Sequence, residues 1–321
     1  MDFFLPVPDS IKVSITNICN YKCLMCYNSS LQEKRGFIEN KLFYDIVDQC
    51  FENEIKRISI GATGEPLMHR NFADFLRYAK SKDLWVSTTS NCSFLTKKIA
   101  DKMIEDRIDR FNISIYSSSP EEHEKYTGSN CFFKVVENVT YFLEKWANSG
   151  KTTEVNMWFL PIPGVNNFDK YIQFWGPLAQ KIGLDLAEKE QINWAGQVDL
   201  FKLNRFKLGR ENEKMYFGWR NKTRCNHVRN YLHVLHNGDI VPCCVIPEVA
   251  NNEEINFGNG YENRLMDVWS SDKYLKFKSD VFKKNYFKYK PCSRCSRIFE
   301  EKKVWISLDD LPGRLKQIWQ N

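Results

Sequence analysis

With 321 residues, 43% of them hydrophobic and 27% charged, the chain has a globular composition, which excludes a disordered, fibrous or membrane-embedded class. Its net charge of +6, from 46 basic and 40 acidic residues, falls short of the concentrated basic face of a nucleic-acid binder. No apolar run approaches the length of a membrane span, and the opening Met1-Asp2-Phe3-Phe4-Leu5-Pro6 lacks the basic start and long apolar core of an export signal, so a cytoplasmic location is expected.

Taken in chain order, short β-rich runs alternate with amphipathic helical patterns. Strands are expected at Lys12 to Thr16, Arg57 to Gly61, Trp85 to Thr89, Arg110 to Tyr116, Glu154 to Leu160 and Leu184 to Glu190, with helical runs such as Phe72 to Lys80 between them. The alternation predicts a parallel α/β domain over 1–190. From Gln191 onward it breaks, and a smaller second unit is expected over 191–321. Within it, His233 to Val241 reads as a hairpin turning at Asn237-Gly238.

Eleven cysteines in a reducing compartment point to metal or redox chemistry rather than to a disulfide framework. Directly after the first expected strand, Cys19, Cys23 and Cys26 form a C-x3-C-x2-C loop closed by Tyr27. Three thiolates on a cubane [4Fe-4S] cluster leave one iron open to a non-protein ligand. A structural zinc site calls for four ligands in better separated pairs, which this loop matches poorly.

The loop resembles that of radical S-adenosylmethionine enzymes, and the resemblance runs along nearly the whole chain. It implies a partial (βα)6 TIM-like barrel with a small C-terminal α+β Fe-S module. It also implies a [4Fe-4S] cluster on Cys19, Cys23 and Cys26 whose open iron is chelated by S-adenosylmethionine. Reductive cleavage of that cofactor yields a 5′-deoxyadenosyl radical that takes hydrogen from substrate. Further segments carry the likeness. Gly61-Ala62-Thr63-Gly64-Glu65-Pro66 is similar to the family's Gly-Gly-Glu-Pro motif at the methionine amino group, with Thr63 in place of the first Gly. A carboxylate such as Glu65 suits an ammonium, Gly64 allows close backbone approach, and Pro66 completes the motif. Thr88 to Cys92 is similar to the family's third-strand end, with Asn91 aligned and Cys92 where Gly is usual. Asn112 to Tyr116 resembles the fourth-strand segment that touches the ribose, bringing in Ser114, with Tyr116 where Asp is usual. His123, in the charged run after it, is expected to be a surface or packing residue.

Cys225, Cys243, Cys292 and Cys295 make a second set of four thiols, one cluster's complement. They resemble the SPASM and twitch modules of the same family, and their number fits the shorter type with one auxiliary [4Fe-4S] cluster. A zinc ribbon, and with it a zinc-stabilised binding protein, is the competing reading. Cys243 and Cys244 point to opposite faces if extended, so only one reaches a given cluster. The spacing from Gly238 favours Cys243. Cys244 is then a possible hydrogen donor to a substrate radical or a small buried side chain. Cys50, Cys92 and Cys131 are expected to be structural.

The expected substrate is a polar small molecule, sugar-like or amino-sugar-like, because Glu188 to Gly196 leaves the sixth strand with charge, amide and aromatic side chains. The ten residues before the first strand leave little for a peptide-recognition domain, which makes a ribosomal peptide the second choice. Dehydrogenation, with the auxiliary cluster as electron acceptor, and epimerisation, with Cys244 as donor, are the two expected fates. A flavodoxin or ferredoxin-type electron donor is the expected partner. The seven lysines from Lys273 to Lys290 read as a solvated amphipathic helix.

Overall fold

The computed structural model describes residues 5–188, 213–221, 225–246, 253–293, 295 and 299–307. Six strands follow one another in sequence: β1 (Ser10–Val13), β2 (Arg57–Ile60), β3 (Trp85–Ser90), β4 (Arg110–Ile113), β5 (Glu154–Phe159) and β6 (Leu186–Glu188). Each pairs in parallel with the one before it. Parallel crossovers are right-handed, so a sequential order puts the connecting helices on one face, as in a partial barrel. These helices are α1 (Asn40–Glu52), α2 (Phe72–Ser81), α3 (Lys97–Glu105), α4 (Pro120–Thr127), α5 (Phe132–Asn148) and α6 (Phe168–Ile182).

The helix side of the sheet is the core. Ile11 and Val13 of β1, Ile58 and Ile60 of β2, Val86 of β3, and Phe111 and Ile113 of β4 are all buried. They pack with Phe43, Phe75, Val139 and Phe142 from the helices. Phe111 meets Phe142 edge to face at 4.8 Å, and truncating such a side chain to Ala costs about 3–5 kcal/mol. Because strand side chains alternate, the intervening residues face the barrel interior. They are Lys12 and Ser14, Arg57 and Ser59, Trp85, Ser87 and Thr89, Arg110 and Asn112, and Glu154, Asn156 and Trp158. Apolar out and polar in is the reverse of a packed barrel core, and it leaves an inner face built to meet a polar ligand.

All six expected strands are present, with shifted ends. β1 runs from Ser10 to Val13 because beyond it the chain turns to meet the loop before α1, where Ile38 N donates to Ile15 O and Thr16 bridges Phe37. β4 stops at Ile113, and the last two residues expected in β6 lie outside the described residues.

After β7 (Glu213–Asn221), which pairs antiparallel with β10 (Phe299–Ser307), come α7 (Asn226–Asn230), β8 (Tyr231–Val234) and β9 (Ile240–Val241). The hairpin makes no sheet of its own. β8 pairs in parallel with the free side of β1, and the sheet order becomes β6-β5-β4-β3-β2-β1-β8-β9. The two-residue Asn-Gly turn expected from sequence is a longer one: Gly238 N donates to Leu235 O, Leu235 N to Asp239 O, and Gly238 takes a φ of +88°. The lysine-rich stretch is less solvated than its composition predicts. After α8 (Leu265–Ser270), α9 (Asp272–Phe282) buries Tyr274, Phe277, Lys278 and Val281. The Lys278 ammonium lies 3.6 Å from the Trp269 ring centroid. No described helix is long and apolar enough to cross a membrane.

Candidate active site between two groups of thiols

The Cys19–Cys26 loop leaves the C-terminal end of β1 and is held from two sides. On one, its backbone follows the end of α4, with Lys22 N donating to Thr127 O at 2.8 Å and Leu24 N to Tyr126 O at 3.0 Å. Tyr21 plugs inward, its hydroxyl 3.2 Å from His123 Nε2 and 3.0 Å from Cys131 Sγ. His123 is therefore a buried packing residue and not a surface one; the charged run around it hides one inward-facing position of α4. On the other side, Arg35 Nη1 donates to Asn17 O at 2.6 Å and to Asn28 Oδ1 at 3.0 Å, and Nη2 donates to Asn28 O. Arg35 carries no signal in the sequence, since it belongs to no cysteine spacing, yet its charge lowers the Cys26 pKa against the larger upward push of burial.

The three thiols are neighbours. Burial pushes Cys19 up to about 12, with the charges of Glu65 and Cys26 adding to it. Cys23 is raised by burial first and then by Cys26 and Cys19. Three half-buried sulfurs that oppose each other's ionisation are poor thiolates by themselves, and a multiply charged metal cluster supplies the positive charge that makes all three ionise. Backbone N–H groups already aim at two of the sulfurs, Tyr21 N at Cys19 at 3.5 Å and Asn28 N at Cys26 at 3.4 Å. Such bonds tune Fe–S clusters. This donor set fits the group.

Beside it lies the Gly61–Pro66 loop after β2. Gly64 has φ +63°, and a Cβ there would come within 2.5 Å of Ile18 O and 2.7 Å of Thr16 O, so only glycine lets this loop close on the thiol loop. Thr63, the departure from the two-glycine pattern, is buried and ties the loop to β1: its N donates to Ser14 Oγ at 3.3 Å and its Oγ1 to Thr16 O at 3.1 Å. Glu65 is buried, and burial raises its carboxyl to about 7 in spite of three donors. Leu67 N at 3.0 Å and Ser90 Oγ at 2.7 Å reach Oε1, and Asn91 N reaches Oε2 at 2.8 Å. Glu65 thus joins the β2 and β3 loop ends. Asn91 continues the chain of contacts, its Nδ2 lying 3.1 Å from Asn20 Oδ1 and 3.9 Å from Cys19 Sγ. Cys92, placed where glycine is usual, has φ +63°, the glycine-favouring conformation of that turn. On the β4 side, Tyr116 donates to Ser114 Oγ at 3.0 Å and lies against Tyr126, with ring centroids 5.3 Å apart. Tyr27 closes the loop through Ala62 O at 3.5 Å.

The second group gathers at the β8–β9 edge. Cys243 is raised by burial and then by the charges of Cys244, Cys225, Cys295 and Cys292; Cys292 is raised by burial, Cys225, Cys295 and Glu254. Cys225, Cys292 and Cys295 thus lie close enough to Cys243 for their charges to act on it. Cys244, whose charge also acts on Cys243, lies 3.3 Å from the Tyr231 hydroxyl. Among the described residues no three His, Cys, Asp or Glu side chains stand as ligands of a single metal ion.

One buried polar chain links the two groups, and sequence reasoning missed it. His233 Nδ1 faces Cys243 O at 3.4 Å, and Nε2 is 2.7 Å from Ser14 Oγ, which accepts from Thr63 N. Burial, and after it the Lys12 charge, holds His233 down to about 3, so the ring is neutral. Nδ1 then donates and Nε2 accepts.

The "Radical SAM superfamily" model matches residues 13–174, and the SPASM model, "Iron-sulfur cluster-binding domain", matches residues 225–296. The tungsten-containing aldehyde ferredoxin oxidoreductase cofactor-modifying protein of Pyrococcus furiosus is 24% identical over 311 residues, which is 88% of this chain and 86% of that protein. A probable GTP 3',8-cyclase of Methanococcus maripaludis is 30% identical over 146 residues, 44% of this chain and 47% of the cyclase; the match spans about half of that relative. Two solved structures share the fold. BtrN in complex with AdoMet and 2-DOIA has a TM-score of 0.59 at 18% identity, over 90% of this chain and 93% of that one. Streptococcus suis SuiB bound to its precursor peptide SuiA has 0.65 at 16%, over 86% and 68%. Since the superfamily match runs from β1 into α6 and takes in half of the chain, this protein belongs to the radical SAM superfamily, binding S-adenosylmethionine and a [4Fe-4S] cluster, with a C-terminal SPASM module for auxiliary Fe-S binding.

Proposed function

We propose that this enzyme removes a hydrogen atom from a carbon of a polar, hydroxylated small molecule lying on the inner face of the half-barrel, between the two groups of thiols. The observation behind this reading is the make-up of that face. Thr89, Asn112 and Asn156 form a ladder, with Asn112 Nδ2 3.1 Å from Thr89 Oγ1 and Asn156 Nδ2 3.3 Å from Asn112 Oδ1. Short amides and hydroxyls on rigid strands suit the hydrogen-bonding pattern of a sugar or amino sugar. BtrN, solved with 2-DOIA, shares the fold; SuiB, solved with a precursor peptide, keeps a peptide substrate as the second reading.

When bound, S-adenosylmethionine and the reduced cluster supply the hydrogen-abstracting radical. Cys19, Cys23 and Cys26 would hold the cluster, and Cys225, Cys243, Cys292 and Cys295 the auxiliary one. Gly64, Glu65 and Pro66, with Tyr27, Asn91 and Ser114, would seat the nucleotide. Glu65 keeps the β2 and β3 loop ends in register, the loop ends that would hold the methionine part. A flavodoxin or ferredoxin-type protein would deliver the electron.

Cys244 decides the outcome. It neighbours the four grouped thiols and is also bonded to Tyr231, whose ring packs against Lys12 on the inner face. This placement favours return of a hydrogen atom from the thiol to the substrate radical, giving epimerisation. The sulfur radical left on Cys244 regains one electron and one proton from the electron donor and solvent. Turnover in deuterated water is the test. Deuterium in an epimerised product, lost in Cys244→Ser, supports the thiol route; an oxidised product without deuterium supports dehydrogenation. Absence of deoxyadenosine from the anaerobically reconstituted protein would sink the whole reading.

A further inference from the structure

Below the amide ladder, at the N-terminal ends of the strands, the inner face changes character. Lys12 of β1, Arg57 of β2 and Arg110 of β4 all project there, around the Trp85 indole of β3. The Arg57 and Arg110 guanidinium carbons lie 5.4 and 4.9 Å from the Trp85 ring centroid, and the Lys12 ammonium lies 4.9 Å from that of Tyr231. Among the described residues these three cations face one carboxylate. Glu154 takes Arg110 Nη2 at 2.7 Å, while neither Lys12 nor Arg57 has an acidic partner among the described residues.

A purely structural layer would pair these charges, since like charges on neighbouring strands oppose one another. Here the charges are gathered instead, and the aromatic rings hold them in place by cation–π contact. Among the described residues Arg110 Nε is moreover buried without a hydrogen-bond partner, an arrangement that folding disfavours. Arg57 is exposed and Lys12 half-buried, so both can reach a ligand. Planar guanidinium forks suit oxyanions, which accept two parallel hydrogen bonds.

We propose that the substrate carries an oxyanionic group, a phosphate or a carboxylate, which docks on Lys12, Arg57 and Arg110 at the floor of the half-barrel. This deepens the reading of a polar substrate on the same face and rests on it. The floor holds the charged end while the rest of the molecule extends up the Thr89–Asn112–Asn156 ladder toward the thiol loop.

The test titrates inorganic phosphate, and separately acetate, into the anaerobically reconstituted holoenzyme with saturating S-adenosylmethionine, by calorimetry at low ionic strength. Arg57→Gln and Lys12→Gln are each expected to weaken binding of the preferred anion about tenfold, the double variant more, while Lys283→Gln on the outer surface binds like wild type. Iron content and thermal midpoint show that each variant is folded. Preference for phosphate or for acetate identifies which oxyanion the floor takes. No binding of either anion, or equal binding by wild type and the double variant, overturns the proposal. Deoxyadenosine is measured in the same preparations: its formation without anion binding removes the floor proposal alone, and anion binding without it removes the hydrogen-abstraction reading.

Discussion

His123 shows how one buried side chain can govern the thiol loop from outside it. Its ring bonds Ser117 Oγ at 3.0 Å through Nδ1 and Tyr21 OH at 3.2 Å through Nε2, and burial holds it down to about 4. The folded state thus prefers the neutral ring. A lowered histidine contributes stability that is present above about pH 6.5 and lost as pH falls toward 4. With partial screening this amounts to on the order of 1–2 kcal/mol. Tyr21 sits between Cys19 and Cys23, so protonating His123 should release the loop as well. Urea melts of wild type and His123→Gln at pH 5 and pH 7.5 check this. Glutamine donates and accepts without titrating, so the variant should lose less stability on acidification, by about that amount; parallel losses would dismiss the linkage.

At the scale of elements, the site is a set of loop ends pinned together at the C-terminal edge of a parallel sheet. The Gly61–Pro66 loop is the tightest of these junctions. Gly64→Ala adds a methyl against the carbonyls of Thr16 and Ile18 in a left-handed backbone, a strain of about 1–3 kcal/mol. The two loops should then separate, and affinity for S-adenosylmethionine should fall at least about tenfold. Calorimetric titration of the cofactor reads this directly, and unchanged affinity would mean that the contact is not needed. Much of this edge was legible in the sequence, because strand alternation and the Cys19–Cys26 and Gly64–Pro66 spacings are local signals. What was not legible depends on distant partners. Arg35 reaches Asn17 and Asn28 across a loop, His233 meets Ser14 219 positions away, and the cationic floor exists only because register aligns three separate strands. The hairpin was visible at Asn237-Gly238, but its pairing with β1 was not, since a buried strand carries no mark of its neighbour.

That pairing joins the segment after residue 225 to the first strand of the parallel sheet. β8 covers the free side of β1, with Ser14 N donating to Val234 O and Asp9 N to Asn230 O. The helices beyond it seal the outer layer. Leu265 N donates to Gln49 Oε1 at 2.7 Å, Arg264 pairs with Glu52, and Trp269 Nε1 reaches Leu5 O at 3.1 Å. A chain ended after residue 224 would bare the β1 edge together with the apolar flank of α1 that these elements cover. Exposed parallel edges with hydrophobic neighbours recruit other chains. The expectation is therefore that residues 1–224 aggregate, although they hold the whole parallel sheet from β1 to β6 and all three thiols of the first loop. Size-exclusion chromatography of the truncated and full-length chains, both reconstituted anaerobically, is the measurement. A monodisperse truncated chain that still forms deoxyadenosine would show that the half-barrel stands alone. Aggregation would show that the SPASM module completes the fold of the half-barrel as well as its chemistry.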